Sequence, residues 1–224
     1  MAGTNLGKDE HTALAGTWDA PRKVGGGARD ALLAAAVAEF AENGFAGARV
    51  DAIAQRAGVN KQLVYHYFQN KQGLYQAALE AVYAEIRDRE RELSLDALAP
   101  AEAMARLVGF SFDYLADHPE FIALLADENR NRGSHLKASP RLKRMHSPLM
   151  DLLRRTLRRG VEAGVFHRGY DAVNLYITVA GVSYFYFSNN HTLSAIFGRP
   201  LATPAALAGR RRHVVRIVLN ALRA

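Results

Sequence analysis

The sequence predicts an all-α protein of about nine helices, and three observations carry that expectation. From Ala28 onward, apolar residues recur at spacings of three, four and seven, the period of one helix face. No run alternates apolar and polar residues as a half-buried strand does, and no repeat of solenoid length occurs. Glycine and proline stand where such helices would stop and start.

Residues 1–27 read as a disordered tail, with little periodicity and a triple glycine in "VGGGA"; Trp18 is their one unusual residue. A first helix over 30–43 aligns Leu33, Val37, Phe40 and Ala41 and stops at Gly44. Short helices are predicted over 50–57 and 61–68, then a long one over 71–93 that ends in the charged run "EIRDRERE". Pro100 opens a helix to 116, and Pro119 another to 129. "NRNRGSHLKASPRLKR" reads as a polar connection with room for one helical turn. The last three helices are predicted over 146–163, 171–190 and 203–222. The division expected is a tail over 1–27, a three-helix unit over 28–71 and a larger helical unit over 72–224.

Bulk composition narrows the function. A chain of 224 residues can bury about 70% of its unfolded surface. No run of about 18 apolar residues predicts a membrane span, and the first residues lack the pattern of an export signal. The absence of cysteine excludes disulfides and thiolate-held metals, and fits a cytoplasmic setting. A net charge of +7 and a pI near 9.8 suit a polyanionic partner.

Residues 50–68 show which partner. Val50, Ile53, Ala54 and Ala57 make one apolar stripe, with Ala54 small enough for a second helix to cross closely. Gly58 allows a tight turn and Asn60 can cap the second helix. Val64 and Phe68 share one face and can pack back on the first stripe. This is the spacing of a helix-turn-helix. At 100° per residue, Gln62, Leu63 and His66 then point away, with Tyr65 and Tyr67 on the flanks and Lys61 and Lys71 at the two ends. The outward arc suits base edges in a major groove, and the tyrosines and lysines suit phosphates.

The stretch "FAENGFAGARVDAIAQRAGVNKQLVYHYFQNKQGLYQAAL" resembles the DNA-binding domain of TetR-family (tetracycline repressor-like) transcriptional regulators, over residues 30–79. The matching positions are Phe40, Gly44 and Phe45; Ile53 and Ala54; Gly58 and Val59; Asn60 and Lys61; then Tyr65, His66, Tyr67, Phe68, Asn70 and Lys71. The resemblance implies that Lys61, Gln62, Leu63 and His66 touch bases, and that Tyr65, Tyr67 and Lys71 touch backbone. One departure stands out. Where the family commonly has threonine or serine before the second helix, this chain has Ala48 and Arg49. The cap there is expected to be weaker by about 1 kcal/mol, with Arg49 supplying the phosphate contact instead.

The resemblance further implies that the larger unit binds a small-molecule effector and forms a homodimer on a two-fold operator in double-stranded DNA. "YITVAGVSYFYFSNN" is apolar on two sides, so one side can serve the subunit's core and the other a partner. The expected interface is Val179, Val182 and Tyr186 with Val214, Ile217, Val218 and Ala221 of the last helix, as an intersubunit four-helix bundle. Phe110, Tyr114, Phe121, Tyr176 and Tyr184 are the pocket candidates, rings with a few hydroxyls. The expected function is a ligand-responsive regulator, most often a repressor in that family. The alternatives are an all-helical enzyme or an adaptor without DNA binding.

No metal site, cofactor or catalytic constellation is expected. The eight histidines show no zinc-binding spacing, and His118 with Asp127 and Glu128 is the only loose grouping. "VGGGA" lacks the lysine and hydroxyl of a phosphate loop, and no nucleophile elbow occurs.

Overall fold

A computed structural model describes residues 27–137 and 139–224; the expected tail and Trp18 lie outside them. The described residues form eleven α-helices and one 3-10 turn, and no named strand. The helices are α1 (Ala28–Gly47), α2 (Val50–Arg56), α3 (Gln62–Phe68), α4 (Lys71–Glu92), α5 (Pro100–Asp117), α6 (Pro119–Arg130), α7 (Ser134–Lys137), α8 (Pro140–Glu162), α9 (Ala172–Ser188), α10 (Asn190–Phe197) and α11 (Pro204–Leu222). The 3-10 turn, Leu95–Ala97, links α4 to α5.

The count exceeds nine because α7, the single turn for which the polar connection had room, was not counted, and α10 was not expected as a helix of its own. α8 also begins earlier than residue 146. Pro140 occupies its first turn, and Ser139 caps it by accepting the Leu142 amide at 3.3 Å. α10 follows α9 almost directly and buries none of its side chains, so periodicity had no phase to reveal there.

The expected stop at Gly44 is real, although one further turn follows it. Gly44 has φ 65° and ψ 174°, a region open in practice only to glycine. Two apolar clusters form the core. The first gathers Leu32, Phe40, Ile53, Val64, Phe68 and Tyr75 with Leu124 of α6 and Leu142 of α8. The second joins α5, α8, α9 and α11 around Leu107, Phe112, Leu153, Val179, Val214 and Leu222. The packing that holds the first three helices therefore runs on, without a break, into α4 and α6.

Candidate nucleic-acid interface and ligand cavity

α2 and α3 cross as the spacing required. Ile53 and Ala54 of α2 and Val64 and Phe68 of α3 are buried together in the first core cluster, with α1 packed on both helices. Gly58, at φ 67°, makes the turn. Asn60 accepts the Gln62 amide at 2.8 Å, so this amide is not free for a phosphate. α2 has no side-chain cap, as the Ala48–Arg49 departure implied; the Arg49 amide instead donates to Glu39 at 3.2 Å.

With Val64 and Phe68 inside, Gln62, Tyr65, His66 and Tyr67 are exposed together on the outer side of α3. The His66 and Tyr67 rings meet edge to face at 4.9 Å. Lys61 and Arg49 are also exposed beside them. Lys61 pairs with Asp51 at 2.8 Å, and its hydrogen bond draws the Asp51 carboxyl below its ordinary range.

Two of the expected contact residues are also held from within the subunit. Leu63 is half-buried against the first core cluster, because at 100° per residue it stands on the flank beside Val64 rather than opposite it. Lys71 donates to the Ala46 carbonyl at 3.2 Å and lies 5.2 Å over the Phe45 ring, so its ammonium is tethered rather than swinging free. Arg29 was missed: it is exposed, 5.4 Å over the Phe68 ring, on the side where α1 meets α3. A cation just before the first helix was its only signal.

The join between α3 and α4 is short. Gln69 has φ 67° and ψ −48°, and the Asn70 amide donates to the Phe68 carbonyl at 2.8 Å. This is the rare, strained positive-φ γ-turn. Asn70 then caps α4, accepting the Gly73 amide at 2.8 Å.

Behind this unit, Asp127 of α6 ties three elements together. It accepts the Phe45 amide, the Tyr75 hydroxyl and the Arg130 guanidinium, each at 2.8 Å. Burial works against the ionised carboxyl, but these donors outweigh it and hold Asp127 below its usual range. A Cβ on Gly44 would stand 2.8 Å from Asp127 Oδ1. The grouping of His118 with Asp127 and Glu128 comes apart: His118 pairs with Glu120 at 2.9 Å, and Glu128 with His135 at 2.7 Å.

In the larger unit, a cavity of about 840 Å³ opens between α4, the 3-10 turn and α8. Its wall includes Arg87, Glu90, Met145, Leu149, Leu152 and Arg155. None of the five pocket candidates lines it. Phe110, Tyr114 and Phe121 form a chain of rings that runs through Tyr83 and His146 to Tyr176, with centroids 5.3–6.3 Å apart. Tyr184 is half-buried against the first cluster. Arg87 joins the two regions: it lines the cavity, and its guanidinium lies 6.0 Å over Tyr176. Burial and the charge on Arg87 both lower the pKa of His146.

The residues expected at the interface lie mostly inside the subunit. Val179, Tyr186, Val214 and Val218 are buried in the subunit's own second cluster, and Val182 packs against it. The Tyr186 hydroxyl donates to the Leu201 carbonyl at 2.6 Å. Of the seven, only Ile217 and Ala221 face out. Exposed apolar side chains on these last helices are Val173, Ile177 and Phe185 on α9, Ile196 and Phe197 on α10, and Ile217 on α11. α9 is apolar all round, so pattern alone cannot fix which stripe turns inward.

Comparison with known proteins fits this geometry. The profile described as bacterial regulatory proteins, tetR family, matches residues 32–78. The profile described as tetracyclin repressor-like, C-terminal domain, matches residues 100–218, more than half of the chain. The chain belongs to the TetR family. It is 35% identical to the HTH-type transcriptional repressor NicS of Pseudomonas putida, over 87% of this chain and 92% of that relative. It is 37% identical to the repressor SCO4008 of Streptomyces coelicolor over 46% of this chain, and spans half of that relative's length. Among solved structures, SCO4942 of Streptomyces coelicolor superposes with a TM-score of 0.66 at 26% identity, covering 88% of this chain and 98% of that one. FadR of Bacillus halodurans has the same fold, with a TM-score of 0.67 at 24% identity, covering 87% and 100%. The members matched here are regulators rather than enzymes, and among the described residues no group of three histidine or acidic residues could hold a metal. No helix among them is long and apolar enough to cross a membrane.

Proposed function

We propose that this TetR-family chain is a ligand-responsive repressor that binds a two-fold operator in double-stranded DNA as a homodimer in the cytoplasm. In this reading residues 28–71 are the DNA-binding unit, and residues 72–224 bind the effector and the second subunit. The observation that carries it is the division of α3: Val64 and Phe68 hold the helix, while Gln62, Tyr65, His66 and Tyr67 stand outside with Arg49 and Lys61 beside them. A helix built only to pack has no use for that outer arc. The relatives NicS and SCO4008 are named repressors, which supports the direction of control.

Each subunit would place α3 in a major groove, with the two helices about 34–36 Å apart or at a related spacing. The unpartnered apolar side of α9, α10 and α11 is the surface on which two subunits meet. An effector in the larger unit releases DNA only by binding the two states unequally.

Selection of bound fragments from random duplex DNA tests the reading. It should return an inverted repeat, bound with an affinity that falls steeply as salt rises. Recovery of fragments without a shared sequence, or binding indifferent to salt, would refute it.

A further inference from the structure

We infer that the effector is a small organic acid, and that its carboxylate replaces Glu90 as the partner of the buried Arg87 guanidinium. This rests on the ligand-responsive reading above and names the chemistry of its site.

Arg87 is the one buried arginine in the cavity wall, 6% exposed. Among the described residues its Nε and Nη1 make no hydrogen bond. Glu90, 5% exposed, stands beside it, with Nη1 and Oε2 only 2.9 Å apart. Oε2 nevertheless makes no hydrogen bond either. Positions three apart on one helix bring the two charges together without pointing a donor at an acceptor. Buried donors left in this state are costly, and a mismatched buried ion pair repays little of its desolvation. The unbonded Nε and Nη1 are closed off from solvent, so a carboxylate reaches them by displacing the Glu90 side chain, and can then meet the planar guanidinium along its forked N–H directions, which Glu90 cannot do from its place on α4.

The surroundings select for an anion with an apolar body. The wall carries five arginines against three carboxylates. Arg91 is paired with Asp88, Arg141 with Glu80 at 3.4 Å and Arg155 with Asp96 at 2.9 Å, which leaves Arg144 as the wall arginine with no ion pair among the described residues. The mouth is thus positive and draws anions in. Behind the charges, Met145, Leu149 and Leu152 offer apolar contact, in a volume of about 840 Å³ typical of small-molecule sites. A cation would face Arg87 across the cavity, and a neutral ligand would leave the guanidinium as it is. Burial already pushes Glu90 up to about 7, so giving up its charge beside an incoming carboxylate costs little near neutral pH.

The test is calorimetric titration of the full chain with three acids of different body length, benzoate, phenylbutyrate and decanoate, each against its neutral amide. At least one acid should bind with a Kd of about 1 mM or tighter, and its amide about tenfold more weakly or not at all. Arg87→Gln should erase the preference for the acid, Arg87→Lys should restore part of it, and Glu90→Gln should tighten the acid about threefold or more. If Arg87→Gln does not fold, the acid-to-amide ratio and Glu90→Gln decide alone. The inference is overturned if no acid binds below about 10 mM, if the amides bind as tightly, or if Arg87→Gln keeps the preference. Release of selected operator DNA is read separately. An acid that binds through Arg87 without shifting DNA affinity counts against the ligand-responsive reading and leaves the site standing. An amide that releases DNA as well as its acid does the reverse.

Discussion

Gln62 and His66 stand one helical turn apart on the exposed side of α3, whereas Lys71 is held by the Ala46 carbonyl. Their roles should separate accordingly. Gln62→Ala and His66→Ala are each expected to cost about 1–3 kcal/mol on the selected operator and little on random duplex, measured by fluorescence anisotropy. Equal losses on both DNAs would remove them from base reading. A second residue-scale expectation concerns Glu90, which burial pushes up to about 7 from 4.5. Between those values the folded protein holds a proton that the unfolded chain has released, so stability falls as pH rises through that window. Glu90→Gln should flatten that fall by about 2 kcal/mol, seen in denaturant melts at pH 5 and pH 8. His146, lowered by burial, acts with the opposite sign, its stability lost as pH falls, and is the same in both proteins.

At the scale of elements, α6 is fastened to α1 and α4 through Asp127. Asp127→Ala would strand the buried Tyr75 hydroxyl and the Phe45 amide, and is expected to destabilise by about 2–4 kcal/mol. Asp127→Asn, which retains an acceptor, should cost less in the same chemical melts; equal losses would mean the hydrogen bonds contribute nothing. This scale also shows what could be read from residues alone. The helix-turn-helix was legible because Ile53, Ala54, Gly58, Val64 and Phe68 interact over short offsets, and one helical period fixes them all. Arg87 and Glu90 were not, since a charged run such as "EIRDRERE" gives no sign that its inner face continues the buried line of Val82, Tyr83 and Ile86. α9 failed for the opposite reason. With rings and branched residues on every side, it reads as buried everywhere, and only the positions of α5, α8 and α11 decide that Val179 turns in and Ile177 turns out.

For the whole molecule, the outward-facing Val173, Ile177 and Phe185 of α9 and Ile217 of α11 are left uncovered among the described residues, 45–59% of each exposed. Ile177→Asp combined with Phe185→Asp should leave a monomer by light scattering, with helicity unchanged, and should weaken operator binding because two half-sites are no longer read together. A variant that stays dimeric would place the subunit contact elsewhere. The join at Gln69 and Asn70 has a consequence for how such a pair works. Two residues, one already strained and the other fastened to Gly73, leave no hinge between reader and rod. α3 must travel wherever α4 leans. In the proposed dimer, the gap between the two α3 helices would then follow the tilt of each α4, whose far end carries Arg87 and Glu90.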